Sequence, residues 1–305
     1  PKQAPLRQQI ALWRFSRLNL GNKYDFYIIA GDWSMSGVVH NKPNMWYVHS
    51  PLNELWAFKD FIREKVLVAW KRPLYDVFVW LNRILTRVYS KHVGVWVSNS
   101  KNTQQRVEKF YGYTPVVINP PTDTKKAYYA QHENYWLSVN RLLNHKRVEI
   151  QMEVMRLLPD EKLIVVGSFE KGVKQFEEYK AMIDSIKPTN VEILHFVEDA
   201  DLYKLYSECK GFIATAKDED FGMSVVEALA SGKPVIAANE GGYKESVIDG
   251  VTGVLIDDID GVKLAEAMKR IGPHVESYRE ACLARAEEFD VSVFIKKIQV
   301  EIDKK

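Results

Sequence analysis

Cysteine is scarce in this chain: two residues, Cys209 and Cys282, in 305. A pair so far apart supports neither a disulfide framework nor a zinc cluster. Long apolar runs are missing too. The densest, such as residues 93–97, fall far short of the ~18–20 residues of a membrane span, and the opening residues carry neither a signal-peptide nor a transit-peptide pattern. An excess of one charge is also lacking. Lys plus Arg number 42 against 40 Asp plus Glu, a formal net charge of +2, which argues against a dedicated nucleic-acid binder. What is present is ordinary for a globular protein, 46% hydrophobic and 27% charged. At roughly 150 residues per domain the length suggests two domains. The expectation is a two-domain protein of a reducing compartment, soluble or peripheral to a membrane.

Composition shifts along the chain. Seven of the eight tryptophans lie in the first hundred residues, and Trp136 follows alone. Residues 24–30 and 45–48 read as short strands around a turn-rich segment with Gly31, Gly37 and Pro43. A long helical stretch is expected over residues 53–92, broken near Pro73. Residues 93–98 read as a buried strand, with Ser98 to Ser100 offering a cap for a helix reaching Tyr111. The segment Asn119-Pro-Pro-Thr-Asp123 and the polar residues to Asn134 read as the crossing between domains. Beyond it, apolar runs at 135–139, 162–166, 191–196, 211–215 and 234–238 alternate with helical patterns at 146–157, 176–186, 199–209 and 223–230. Such alternation predicts α/β architecture, a parallel sheet covered on both faces. Its ligands belong at the carboxyl ends of the strands.

The most informative segment is Asp218-Glu-Asp-Phe-Gly-Met-Ser-Val-Val-Glu227. It places Glu219 in a loop after a strand and Glu227 inside the next helix, with the amides of Phe221, Gly222, Met223 and Ser224 between them. A helix N-terminus offers unpaired N–H groups and the positive end of a dipole, a site for an anion. Carboxylates on either side can accept hydrogen bonds from sugar hydroxyls. The plain alternative is a solvated loop acid and a surface glutamate. Asp218-Glu-Asp220 also fits the Asp-x-Asp spacing that holds a divalent metal against a diphosphate. In enzymes built that way, however, the motif usually sits in the first half of the chain.

The segment resembles the signature of glycosyltransferase family 4, retaining enzymes of the GT-B fold marked by two glutamates separated by seven residues. The likeness continues through residues 228–234, Gly241-Gly242, Glu245 and Gly250-Val-Thr-Gly253, and covers roughly residues 93–272. In residues 49–64 and 219–222 it is closest to bacterial and archaeal mannosyltransferases of polysaccharide and lipid-linked glycan assembly. The resemblance implies two Rossmann-like domains facing a cleft. They would be an acceptor-side domain over 1–120, a nucleotide-sugar-binding domain over 121–290, and a helix over 291–305 crossing back to the first. It implies transfer of a hexose, with mannose from GDP-mannose favoured, onto a hydroxyl of a glycan or lipid-linked acceptor. Retention, no resident cofactor, no metal and a cytoplasmic setting at the inner face of a membrane go with it.

Residue roles follow by the same resemblance. Arg141 and Lys146, after the second domain's first strand, would neutralise the leaving diphosphate, with Asn140 beside them on the donor and Arg147 a neighbouring candidate. Read alone, two basic loop residues are more often solvated. Glu219 and the backbone of Phe221, Gly222 and Met223 would hold the sugar, with Ser224 also on the donor. Glu227 would hold the ribose, and the His195-Phe196-Val197 stretch would border the base through Val197. His49, in Tyr47-Val-His-Ser-Pro51, resembles a His-x-Pro segment whose imidazole approaches the transferred sugar, although a lone histidine is more often structural.

Two further expectations concern the first domain. Residues 53–92 carry Lys59, Arg63, Lys65, Lys71, Arg72, Arg83, Arg87 and Lys91 against Glu54, Asp60, Glu64 and Asp76, interleaved with Trp56, Phe58, Phe61, Trp70, Tyr75, Phe78 and Trp80. Basic and aromatic residues together suit an anionic membrane surface, while part of the set must pack on the domain's own sheet. Nothing before Tyr24 matches the opening strand and glycine-rich loop of complete family members, and Gly21 and Gly31 are isolated. A first domain abbreviated at its N-terminus is expected, either a fragment of a transferase or a subunit that binds nucleotide sugar without transferring it.

Overall fold

The computed structural model describes residues 7–21, 23–51, 55–56, 59–169 and 172–304. Glu54 and Phe58, named above, lie outside them. The chain divides into two compact units, Pro1–Asn119 with Lys296–Lys305, and Pro120–Ile295.

The first unit holds four parallel strands in the order β1-β2-β3-β4: Tyr27–Ala30, Asn44–Val48, Val95–Ser98 and Val116–Val117. β2 and β3 are buried at every residue, as expected of short apolar strands covered on both faces. Helix α1 (Arg7–Ser16) precedes the sheet. The core gathers Leu12, Met35, Val38, Trp46, Val48, Leu55, Val79, Trp96 and Val107. The rings of Trp46 and Trp96 meet edge to face at 5.1 Å. Helix α4 (Lys101–Tyr111) begins where Ser100 accepts a hydrogen bond from the Thr103 amide at 2.9 Å. It ends at Gly112, whose φ of 76° closes the last turn.

The long helix expected over 53–92 is shorter and starts later. Before it come a single turn, α2 (Lys59–Phe61), a π turn (Ile62–Val66) and a 3-10 turn (Ala69–Lys71). Helix α3 then runs over Arg72–Ser90. Pro73 does not break it but occupies its first turn, where an N–H would have no intrahelical partner and the fixed φ suits helix.

The second unit holds six parallel strands in the order β10-β9-β8-β5-β6-β7. They are β5 (Trp136–Arg141), β6 (Leu163–Ser168), β7 (Val191–Leu194), β8 (Gly211–Ala214), β9 (Val235–Ala238) and β10 (Gly253–Ile256). Counted within the unit this is the doubly wound order 3-2-1-4-5-6, whose switch point falls between β5 and β8. Between strands run α5 (Val148–Leu157), α6 (Lys174–Ile186), α7 (Asp199–Glu208), α8 (Met223–Ala230) and the single turn α9 (Tyr243–Ser246). After β10 come α10 (Gly261–Ile271), α11 (Arg279–Glu287) and α12 (Val291–Asp303). Trp136 is fully buried beneath the β5–β8 pairing, and a Cβ at Gly211 would lie 2.7 Å from its ring. Only glycine there admits the indole, whose Nε1 donates to Glu161 Oε2 at 3.0 Å. Residues of α12 from Lys296 onward group with the first unit. Among the described residues no helix is long and apolar enough to cross a membrane.

Candidate functional site

At the switch point two loops fill the gap beyond β5 and β8. The loop after β5 places exposed Arg141 at the strand end and a 3-10 turn over Asn144–Lys146. Arg147 then takes a left-handed φ of 51° before α5 begins. That reversal is fastened on several sides. Arg147 Nε donates to the Thr215 carbonyl at 2.6 Å, its guanidinium pairs with Glu240, and Thr215 Oγ1 donates to the Lys146 carbonyl at 2.7 Å. The Lys217 amide donates to the His145 carbonyl at 2.6 Å, joining the two loops. Arg147 is therefore committed to holding the loops together.

Lys146 points elsewhere. Its Nζ donates to Glu219 Oε2 at 2.5 Å, with the side chains only 14% and 19% exposed. Glu219 is set by its backbone: the Gly242 amide donates to its carbonyl at 2.7 Å. This contact needs glycines. A Cβ on Gly241 would lie 2.5 Å from Glu219 O, and one on Gly242 would lie 2.4 Å from Phe221 Cα. Gly222, at φ 89°, passes so close to Tyr243 that a Cβ would meet its ring at 2.5 Å. Helix α8 starts immediately after, with no side chain capping it. Its first amides have no partner within the helix, and the positive dipole end lies there.

Ser138, Asn140, Lys146, Thr215, Ser224 and Tyr243 line one recess between β5, β8 and the start of α8. Asn140 Nδ2 donates to Ser138 Oγ at 2.9 Å, while its buried Oδ1 has no hydrogen-bond partner among the described residues. An acceptor buried without a donor is uncommon unless a ligand or water supplies one. Glu227 sits further along α8, where it accepts the Tyr206 hydroxyl at 2.7 Å. Burial raises its carboxyl above the ordinary glutamate range, opposed by that hydrogen bond and assisted by the charge of Asp199.

The structure thus brings Asn140, Lys146, Glu219 and Ser224 together. Gly222 turns the chain into α8 beside them. Phe221 is buried against Val226 and Phe289, and Met223 is exposed. Val197 follows β7 and lines an open groove with Tyr135, Lys162 and Phe196, and it is not among the residues lining the recess. His195 Nδ1 lies 3.0 Å from the Gly167 carbonyl. His49 belongs to the first unit, at the end of β2 with its ring edge-on to Tyr47 at 5.1 Å. Partial burial lowers its pKa. Glu240, Thr215 and Tyr206 escaped the reading of the sequence, because each acts through partners 21 or more residues away.

A doubly wound parallel sheet with cations, carboxylates and an uncapped helix start at its switch point defines an α/β protein built to hold a nucleotide or another phosphorylated ligand. Comparison with known proteins makes the class particular. The model of the family "Glycosyl transferases group 1" matches residues 121–282, more than half of the chain, and the chain belongs to that family. Among curated relatives it is 29% identical over 147 residues to a D-inositol 3-phosphate glycosyltransferase of Corynebacterium diphtheriae, covering 46% of this chain and 34% of that protein. It is 26% identical over 181 residues to the alpha-1,3/1,6-mannosyltransferase alg-2 of Neurospora crassa, covering 50% and 38%. The chain therefore spans little more than a third of the length of these relatives. Among solved structures, sucrose-phosphate synthase from Thermosynechococcus elongatus superposes with a TM-score of 0.79 at 17% identity, over 100% of this chain and 81% of that one. Anabaena HepE in complex with UDP and glucose gives 0.76 at 20%, over 100% and 82%. The fold is α/β with two parallel sheets, that of GT-B glycosyltransferases.

Proposed function

We propose that this chain carries out retaining glycosyl transfer, moving a hexose from a nucleotide diphosphate sugar to a hydroxyl of a glycan or lipid-linked acceptor. The observation that supports it most is the Lys146–Glu219 pair beside the start of α8 at the switch point. A diphosphate at the mouth of the recess would take the Lys146 ammonium, with Arg141 and the α8 amides as further donors. Glu219, released from Lys146, would accept a sugar hydroxyl. Asn140 Oδ1 needs a donor, and Glu227 with Tyr206 offers an acceptor and donor suited to ribose hydroxyls. Val197 would meet the base through its backbone. Lys146 and Arg141 can offset the leaving group's charge without a metal. No side chain is assigned as a covalent nucleophile: front-face attack lets the departing phosphate oxygen take the acceptor's proton while the protein positions and stabilises.

GDP-mannose is the favoured donor. The mannosyltransferase relative supports the sugar, whereas the UDP complex of the structural neighbour speaks for a donor of the same class with a different base. The role of His49, positioning the transferred sugar, rests on the resemblance of residues 47–51. A lipid-linked acceptor would be met at a membrane surface.

Titration calorimetry with GDP-mannose and the Lys146→Ala protein tests this reading. Affinity should fall about tenfold to a hundredfold, the loss of one charge-assisted hydrogen bond, in a variant that still folds cooperatively although less stably than wild type. Unchanged affinity in a folded variant would remove Lys146 from the donor site.

A further inference from the structure

Helix α3 is apolar on two sides, one packed on the core of its own unit and one turned to solvent. Facing inward with Val79 of the core, and with Tyr75, Phe78 and Tyr89 packed against that core, are Asn82, Thr86 and Ser90, all buried. Each is satisfied close by: Asn82 Nδ2 donates to the Phe78 carbonyl at 2.8 Å, Thr86 Oγ1 to Arg83 O at 3.2 Å and Ser90 Oγ to Arg87 O at 2.9 Å. Facing outward, at three- and four-residue intervals along one stripe, are Leu74, Val77, Leu81, Ile84 and Val88. Leu74 is 66% exposed and Leu81 52%, and Trp70 (69%) and Trp80 (61%) flank the stripe. Helix α1 meets the inward side of α3 through the Gln9–Asn82 hydrogen bond at 3.3 Å, and itself exposes Ile10 and Trp13. A contiguous apolar face of this extent marks an interaction surface.

The surrounding charge says what covers it. Lys71 and Lys91 bracket α3 and Arg87 lies along one flank, while α1 adds Arg7, Arg14 and, just beyond its end, Arg17, the last stacked on Trp13 at 4.3 Å. The two helices hold one acidic residue, Asp76, already paired with Arg63 at 2.9 Å. A second copy would set like charges against each other across a two-fold axis. A surface of negative headgroups over hydrocarbon matches both features: apolar side chains enter the boundary, tryptophans sit at headgroup depth, and cations meet lipid phosphates.

We propose that the exposed face of α3 docks on an anionic lipid bilayer, α3 lying in the plane of the membrane. This stands on the first unit's surface and is independent of the donor reading.

Cosedimentation of the chain with vesicles, in the absence of nucleotide, tests it. Vesicles of phosphatidylcholine with about a third phosphatidylglycerol should bind the protein at least about tenfold more tightly than phosphatidylcholine alone. The difference should collapse at about 0.5 M salt. Leu74→Ser/Leu81→Ser/Val88→Ser and, separately, Lys71→Glu/Lys91→Glu should each weaken binding by a similar factor with unchanged melting temperature, since every position is on the surface. Equal binding to neutral and anionic vesicles, or none to either, overturns the proposal. So does a dimer in sedimentation equilibrium that the triple serine variant converts to monomer, which would assign the face to a second copy.

Discussion

Lys146 and Glu219 are bound to each other before any ligand arrives, and this gives the pair a distinctive mutational signature. Removing either takes the close opposite charge from a largely buried one, whereas removing both does not. Stability measured by urea unfolding should therefore recover in Lys146→Ala/Glu219→Ala relative to the single variants, while donor binding stays lost. Recovery of both together would mean that the pair is structural. Glu227 shows the opposite logic. Its folded carboxyl is raised by burial, so the folded state favours the protonated form. That preference is fully present below the unfolded carboxyl pKa and lost as pH rises through the folded one. Glu227→Gln should raise the melting temperature at neutral pH, with the gain vanishing in acid; a constant gain across pH would rule out titration as its source. Cys209 and Cys282 are buried free thiols pushed up to about 12. Neither should react with a thiol-specific dye until the protein unfolds, and rapid labelling of the native chain would contradict the packing described.

At the scale of elements, glycines shape the donor loop. Gly241→Ala would drive a methyl group against the Glu219 backbone at a φ of 59°. It should cost about 2 kcal/mol or more by urea unfolding, and weaken donor binding through displacement of Glu219. A variant as stable as wild type would show that the loop is not held there. Much of this region is legible in the sequence because its signals are local. The helix expected over 223–230 matches α8 to the residue, Ser100 caps α4 as its position suggests, and the alternation of apolar runs with helical patterns matches β5 to β9 within a few positions. Residues 59–71 are not legible in the same way. Their aromatic and basic residues fit a helical period, but the chain breaks into α, π and 3-10 turns, with Leu67 in extended backbone between them. Nor can sequence separate Lys146 from Arg147. Only the left-handed φ and the bonds to Thr215 and Glu240 show that Arg147 braces the loops. Glu227 is found by its spacing, and its partner Tyr206, 21 residues back, is not.

At the scale of the molecule, each unit has its own core and its own parallel sheet. The residues that gather at the switch point all belong to the second unit. The near-neutral total charge conceals a division: the exposed faces of α1 and α3 are cationic, and the donor recess sets its lysine against a carboxylate. The account's central claim is that the second unit's switch point is a nucleotide-sugar site. The most direct test is a thermal-shift panel of GDP, UDP, ADP and their common sugar conjugates, with and without EDTA. A ligand bound only by the folded state raises the melting temperature with the logarithm of its concentration over Kd, by about 2.7 kcal/mol of stability at a hundredfold excess over Kd. The account predicts a rise with one base family, GDP and GDP-mannose first, that survives EDTA and disappears in Lys146→Ala. No rise with any nucleotide, or a rise that Lys146→Ala leaves intact, would contradict it.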